Sequence, residues 1–112
     1  MTTESIHLLL LAVVQAQDVD AATRALESLD ASVVYMASTG GFLGRRNATL
    51  MIGLPDGLEE QALSALRSVC RQRVEYMTMP LEGSPMPMRA PVPVTVGGAT
   101  VLAVPVERFE QF

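Results

Sequence analysis

Apolar residues at both alternating positions distinguish the first predicted strand, which spans residues 6–14. Its two faces are formed by Leu8, Leu10, Ala12 and Val14 and by Leu9, Leu11 and Val13. A strand with one solvated face alternates apolar and polar residues, so this pattern predicts a strand that is covered on both faces. We expect helices to cover one face and another subunit to cover the other.

Apolar residues at steps of three and four predict two helices. The first covers residues 18–29 and buries a stripe of Val19, Ala22, Leu26 and Leu29. Asp18 is its expected N-cap. The second begins at a capping box formed by Asp56 and Glu59 and ends near Arg71. Its buried stripe contains Leu58, Ala62, Leu66 and Val69, adjoined by Leu63 and Ala65.

Further apolar segments predict strands over residues 32–38, 48–54 and 73–79, and a β-hairpin over 93–104 with Gly97-Gly98 as its two-residue turn. Residues 106–112 are expected to form a short helical turn that docks on the protein. The order βαββαβ plus a C-terminal hairpin predicts one α+β domain over residues 1–112 with a ferredoxin-like fold. The proline-rich residues 80–91 form a lid, a partner-binding loop or a simple connector; composition does not separate these alternatives.

Composition excludes several classes of function. The net charge is −4 and every basic side chain is arginine, so a duplex nucleic-acid binder is disfavoured. The first strand is too short to span a membrane and lacks a basic leader, which predicts a cytoplasmic protein. The single histidine, His7, and single cysteine, Cys70, provide no metal cluster and no catalytic pair. Cys70 is interpreted as a buried structural thiol, and we expect neither enzymatic activity nor a cofactor.

A glycine-rich segment from Thr39 to Thr49 lies between the second and third predicted strands and also contains Arg45 and Arg46. Glycines let backbone N–H groups converge on an anion, and arginine side chains match phosphate oxygens. This composition indicates a loop that binds an anion or a nucleotide. A hairpin turn with two solvated arginines is the alternative, since the segment matches neither common phosphate-loop pattern.

The motifs taken together resemble the PII-like cyclic-di-AMP receptor proteins. The resemblance extends over nearly the whole chain, through Val14-Gln15-x-Gln17-Asp18, Thr39-Gly40-Gly41-Phe42-Leu43, Asn47-x-Thr49, Val94-x-Val96-Gly97-Gly98-Ala99-Thr100-Val101 and the closing Glu110-Gln111-Phe112. It implies a homotrimer with nucleotide sites at the subunit clefts, and signalling without catalysis through changes in the loops. The alternative is a PII-like regulator that binds another anionic nucleotide, or one that acts only through a protein partner. The resemblance does not identify that partner.

The resemblance also implies a set of ligand-binding residues. Those that would wrap a nucleobase and its phosphate are Thr39, Gly40, Gly41, Phe42 and Leu43. Asn47 would hydrogen-bond a base edge or support the loop, Gly53 would let the ligand approach, Leu102 would pack on it, and Gln111 would contact it from the neighbouring cleft. Each residue also has a purely structural interpretation, as core packing, strand packing or a surface amide.

Three positions depart from the family pattern: Ser32, where relatives carry arginine, Val34, where they carry threonine, and Arg46, where they carry glycine. Ser32 and Val34 remove two polar contacts to the ligand. Arg45 or Arg46 is the expected replacement for the lost cation.

Overall fold

Four strands form the main sheet of the protein, and two helices cover one of its faces. The computed structural model describes residues 5–37, 47–80 and 89–112. The strands are β1 (Leu8–Gln15), β2 (Ser32–Ala37), β3 (Asn47–Leu54), β4 (Arg73–Pro80), β5 (Arg89–Val96) and β6 (Ala99–Pro105). The helices are α1 (Val19–Glu27), preceded by a 3₁₀ turn at Ala16–Asp18, and α2 (Glu59–Val69).

The main sheet has the strand order β2-β3-β1-β6, and all of its neighbouring strands are antiparallel. This arrangement of four strands and two helices is compatible with the predicted ferredoxin-like fold. The alternating pattern of β1 and β3 places one residue set under the helices, where Leu10, Leu50 and Ile52 are fully buried. Burying each of these side chains contributes about 1.5–3 kcal/mol. Leu26 of α1 and Leu66 of α2 complete this core, as the helical stripes predicted.

The predicted hairpin over residues 93–104 is wrong, because its two strands belong to different sheets. β5 pairs with β4, placing Val96 opposite Arg73, whereas β6 pairs with β1, placing Ala99 opposite Val14. β4 and β5 form a separate two-stranded sheet, called the arm below. The arm is therefore inserted between α2 and β6, and β6 is the strand that lies beside β1 at the edge of the main sheet.

The glycines at the predicted turn connect the arm to the main sheet. Gly97 and Gly98 have φ angles of +92° and +96°, which glycine adopts without strain. A Cβ on Gly97 would overlap the carbonyl oxygen of Arg71. The Gly98 N–H donates to the carbonyl of Cys70. This geometry explains why two consecutive glycines occur there without forming a hairpin turn.

Neither predicted helix cap forms. Asp18 has a helical backbone conformation because the 3₁₀ turn precedes it, and its carboxylate binds Arg73 in place of a helix N–H. In the second case Asp56 and Gly57 form a turn with a φ of +88° at the glycine, so α2 begins only after Leu58. β5 begins at Arg89, so part of the predicted 80–91 loop is a strand.

The C-terminal residues do not form the predicted helical turn. Beyond β6 the N–H of Val106 donates to the carbonyl of His7 at 3.0 Å, which extends the pairing with β1 by one bond. Phe109 is half-buried, and the side chain of Phe112 is fully exposed. Docking of the final aromatic residue within the same chain is therefore not observed.

Candidate functional site

The face of the main sheet opposite the helices, called the outer face below, is apolar, and no described helix or strand packs over it. Strand register places Val34, Met51, Leu11 and Leu102 side by side across all four strands. The side chains of Val34 and Leu102 are 51% and 60% exposed. A continuous exposed apolar surface of this kind indicates a binding or assembly surface. The doubly apolar pattern of β1 is explained by this face, to which Leu9, Leu11 and Val13 contribute.

Two of the predicted ligand-binding residues, Gly53 and Leu102, lie on the outer face, together with the two departures Ser32 and Val34. Gly53 is directly opposite Ser32 on one side and Leu9 on the other. The side chain of Ile6 fills the space where a Cβ of Gly53 would be. Access of a ligand to the backbone at Gly53 therefore requires Ile6 to move.

Asn47 lies on the same face but at the other end of β3. It pairs in register with Gln15, whereas Gly53 pairs with Leu9. Six residues of extended strand separate Asn47 from Gly53, a distance of about 20 Å. The two residues therefore belong to different ends of the face and cannot contact the same nucleobase within one subunit.

Gln111 is exposed on the C-terminal segment, which leaves the sheet at the Gly53 end beside His7. The remaining predicted residues lie outside the described part of the chain: Thr39, Gly40, Gly41, Phe42, Leu43, Arg45 and Arg46. Residues 37 and 47 are the ends of β2 and β3 that flank this segment, so it joins the sheet at the Asn47 end.

No charged side chain lies on the described strands of the outer face, whose central residues are valine, leucine and methionine. Such a surface suits the apolar face of a nucleobase but provides no cationic partner for a phosphate among its described residues. A dianionic ligand bound here needs cationic groups from elsewhere, and Arg45 and Arg46 are the nearest in sequence to Asn47.

A second group of polar residues, not predicted as functional, joins the arm to the end of β1. The Asp18 side chain is almost completely buried, and its Oδ1 accepts a hydrogen bond from Arg73 Nη2 at 2.8 Å. Arg73 also donates to Glu75 at 3.0 Å and to the carbonyl of Arg71 at 3.1 Å. Gln15 Oε1 accepts a hydrogen bond from the N–H of Gly97 at 2.7 Å.

Hydrogen bonding and burial shift the pKa values of two side chains at this junction. The hydrogen bond to Asp18, reinforced by the one to Glu75, raises the pKa of the Arg73 guanidinium. Burial, with a smaller contribution from the negative charge of Asp18, raises the pKa of the Cys70 thiol to about 11. Cys70 is therefore a protonated thiol at neutral pH, in agreement with the predicted structural role. Sequence spacing alone did not indicate that residues 15 and 18 meet residues 73 and 97.

A cavity of about 350 Å³ lies on the helix side of the sheet, between the C-terminal end of α2 and β6. Its lining includes Arg67, Cys70, Gln72 and Val101, and none of the predicted ligand-binding residues that the structure describes. Within residues 5–37, 47–80 and 89–112 no cluster of side chains has the composition of a metal site. Neither described helix is long and apolar enough to cross a membrane.

Comparison with known proteins gives a family match and a similar solved structure, each of which covers nearly the whole chain. A family model described as cyclic-di-AMP receptor matches residues 7–112. A crystal structure of a functionally unknown protein from Pediococcus pentosaceus ATCC 25745 superposes with a TM-score of 0.75 at 31% sequence identity. The match covers 96% of this chain and 99% of that one.

Proposed function

Because this chain belongs to the cyclic-di-AMP receptor family, we propose that it is a non-catalytic receptor that binds cyclic-di-AMP. The family match over residues 7–112 is the observation that carries this proposal. In this proposal the chain is a PII-like homotrimer, and its ligand occupies clefts formed by the outer faces of neighbouring subunits. Binding acts on a downstream protein partner by ordering the loop at residues 38–46, without turnover of the ligand.

The exposed apolar residues of the outer face support the trimer. Its apolar rows include Val34, Leu102 and Val104, each of which is 45–60% exposed in a single chain. Covering such a surface with a second subunit is favourable, because each Å² of apolar surface removed from water contributes about 25 cal/mol to the free energy of association. The proposed trimer would also let Asn47 and Gly53 of different subunits serve one ligand, because within one subunit they lie about 20 Å apart.

The chemistry at Ser32 and Val34 sets the strength of binding. Both residues lie beside Gly53 or one row away from it, so they face any ligand on this part of the sheet. Val34 has no side-chain donor or acceptor, and a ligand edge left unpaired there costs about 1–3 kcal/mol. Ser32 provides no cation for a phosphate. We therefore expect at least about tenfold weaker binding of cyclic-di-AMP than in relatives with both polar groups.

Titration calorimetry on four proteins tests the proposal: the unmodified chain, Ser32→Arg with Val34→Thr, Arg46→Ala, and the triple variant. The double substitution is expected to tighten binding at least about tenfold. Arg46→Ala is expected to weaken binding in the unmodified chain and to matter less after the double substitution. The matched control is Ser64→Arg with Val74→Thr, which makes the same changes at exposed positions of α2 and the arm.

The competing function is a PII-like regulator that binds another anionic nucleotide or only a protein partner. The loss of both polar groups at Ser32 and Val34 favours this alternative. Calorimetry with cyclic-di-AMP, cyclic-di-GMP, ATP and AMP separates the two functions. If another of these nucleotides binds more tightly than cyclic-di-AMP, that nucleotide is the ligand. If the double substitution at Ser32 and Val34 leaves the affinity for cyclic-di-AMP unchanged, the site does not include these two residues.

A further inference from the structure

The two ends of the arm are each fastened to a short segment that runs from the last residue of β1 to the end of the following 3₁₀ turn. Arg73, the first residue of β4, binds Asp18 through a contact of 2.8 Å. Gly97, directly after β5, donates its N–H to Gln15 Oε1 at 2.7 Å. Gln15 and Asp18 are three residues apart, so one short segment holds both strands of the arm at their base.

These two contacts hold the base of the arm together with the hydrogen bond from the Gly98 N–H to the carbonyl of Cys70. Among the described strands, β4 and β5 pair with each other and with no strand of the main sheet. An isolated two-stranded sheet is only marginally stable in water, so its orientation depends on what holds its base. Asp18 is 3% exposed and its Oδ2 has no hydrogen-bond partner, which makes the Arg73 contact the only direct compensation of a buried charge among the described residues.

Gln15 also lies next to the proposed ligand site. It is paired in register with Asn47, the residue at which the segment 38–46 rejoins the sheet. Side chains of directly opposite residues have Cβ atoms about 4.5–5.5 Å apart. A shift at the start of β3 is therefore expected to displace the side chain of Gln15. That side chain accepts the hydrogen bond from the N–H of Gly97 at the base of the arm.

We propose that Gln15 and Asp18 form a two-point clamp that fixes the arm and couples its position to the Asn47 end of the outer face. Gln15 is a positioning residue whose amide oxygen responds to Asn47, and Asp18 is the fixed point that holds Arg73. The functional meaning of this coupling rests on the proposed receptor function: ligand bound beside Asn47 changes the orientation of the arm, which presents the signal to a partner.

The clamp is tested first without ligand, by amide hydrogen exchange on the full chain. Gln15→Ala leaves the Gly97 N–H without its partner, and Arg73→Gln breaks the ion pair with Asp18. Exchange of the arm amides in residues 73–80 and 89–96 is expected to accelerate at least about fivefold in both variants, as for loss of a partly buried hydrogen bond. Exchange in β1 and β3 is expected to stay unchanged.

The matched control is Arg108→Gln, which breaks the exposed ion pair with Glu110 far from the arm. It is expected to leave arm exchange unchanged. Asp18→Asn provides a second, shape-conserving variant in case Arg73→Gln does not fold. Unchanged arm exchange in Gln15→Ala and in the folded ion-pair variant would overturn the clamp.

Coupling is measured by a double-mutant cycle with Asn47→Ala. This substitution is expected to alter arm exchange in the unmodified chain and to have little further effect when Gln15 is already alanine. Independent, additive effects would overturn the coupling. Cyclic-di-AMP titration of the unmodified chain is recorded separately, so that an absence of binding refutes the receptor function while the exchange data still decide the clamp.

Discussion

Val104→Asp tests whether the outer face is a subunit interface. Val104 lies on β6 in the row with Leu9 and Gly53, and its side chain is 45% exposed in one chain. Complete burial of valine is worth about 1.5–3 kcal/mol, so covering its exposed part contributes roughly 0.7–1.4 kcal/mol per subunit. Three subunits lose about 2–4 kcal/mol, which weakens a trimer about 30- to 1,000-fold. Desolvation of the new carboxylate adds to this loss.

Size-exclusion chromatography with light scattering over a micromolar dilution series measures the effect. The unmodified chain is expected to have the mass of a trimer, and Val104→Asp that of a monomer at the lower concentrations. Val74→Asp is the matched control, since Val74 is 58% exposed but lies on the arm. Thermal unfolding verifies that both variants are folded. A trimer that tolerates Val104→Asp as well as Val74→Asp would show that the outer face is not the interface.

Two further predictions concern the junction of the arm and the core. Gly97→Ala is expected to lose at least about 1–3 kcal/mol in urea unfolding, because its positive φ and the overlap with the Arg71 carbonyl act together. Gly57→Ala, with a similar φ and open space around it, is expected to lose less, and equal losses would contradict the steric argument. The pKa of Cys70 is raised to about 11 from an ordinary 9.0, so the folded chain holds this proton more tightly than the unfolded chain. The associated stability, roughly 2–3 kcal/mol, is expected to disappear as pH rises from about 9 to 11. If the stability of Cys70→Ala declines as steeply over this pH range, the pH dependence comes from groups other than Cys70.

The main elements of the fold were predictable because they depend on local periodicity. The steps of three and four through Ala22, Leu26, Ala62 and Leu66 led to helices whose buried residues are correct. The apolar residues at both odd and even positions of β1 likewise predicted two apolar faces. Boundaries were less accurate where a tertiary contact competed with a local one, as at Asp18, which binds Arg73 instead of capping α1.

The pairing of β5 and β6 was not predictable from local pattern. Two consecutive glycines between apolar segments are typical of a hairpin turn, and nothing in residues 93–104 opposes that interpretation. The decisive contacts come from distant positions, since Gln15 binds Gly97 across 82 residues of sequence and Cys70 accepts from Gly98. The local sequence shows that Gly97 and Gly98 can adopt positive φ angles, but it does not show that their N–H groups bind Gln15 and Cys70.

For the candidate site, the sequence predicted residue types better than their arrangement. Gly53 and Leu102 lie on one face with Ser32 and Val34, as a common ligand surface requires. The separation of Asn47 from this group became apparent only from the register of β3. The segment with most of the predicted contacts, from Thr39 to Arg46, lies outside the described residues, so its part in the site stays a prediction.

The separation along β3 connects ligand binding to assembly. Asn47 and Gly53 are about 20 Å apart on one strand, whereas contacting atoms lie within about 4.5 Å. If both residues serve one nucleobase, they must come from different subunits, and a monomer has no complete site. Val104→Asp is therefore expected to lose cyclic-di-AMP binding along with the trimer, and Val74→Asp to keep both. A monomeric Val104→Asp variant that binds the ligand with undiminished affinity would show that one end of the outer face is sufficient, and that Asn47 or Gly53 does not contact the ligand.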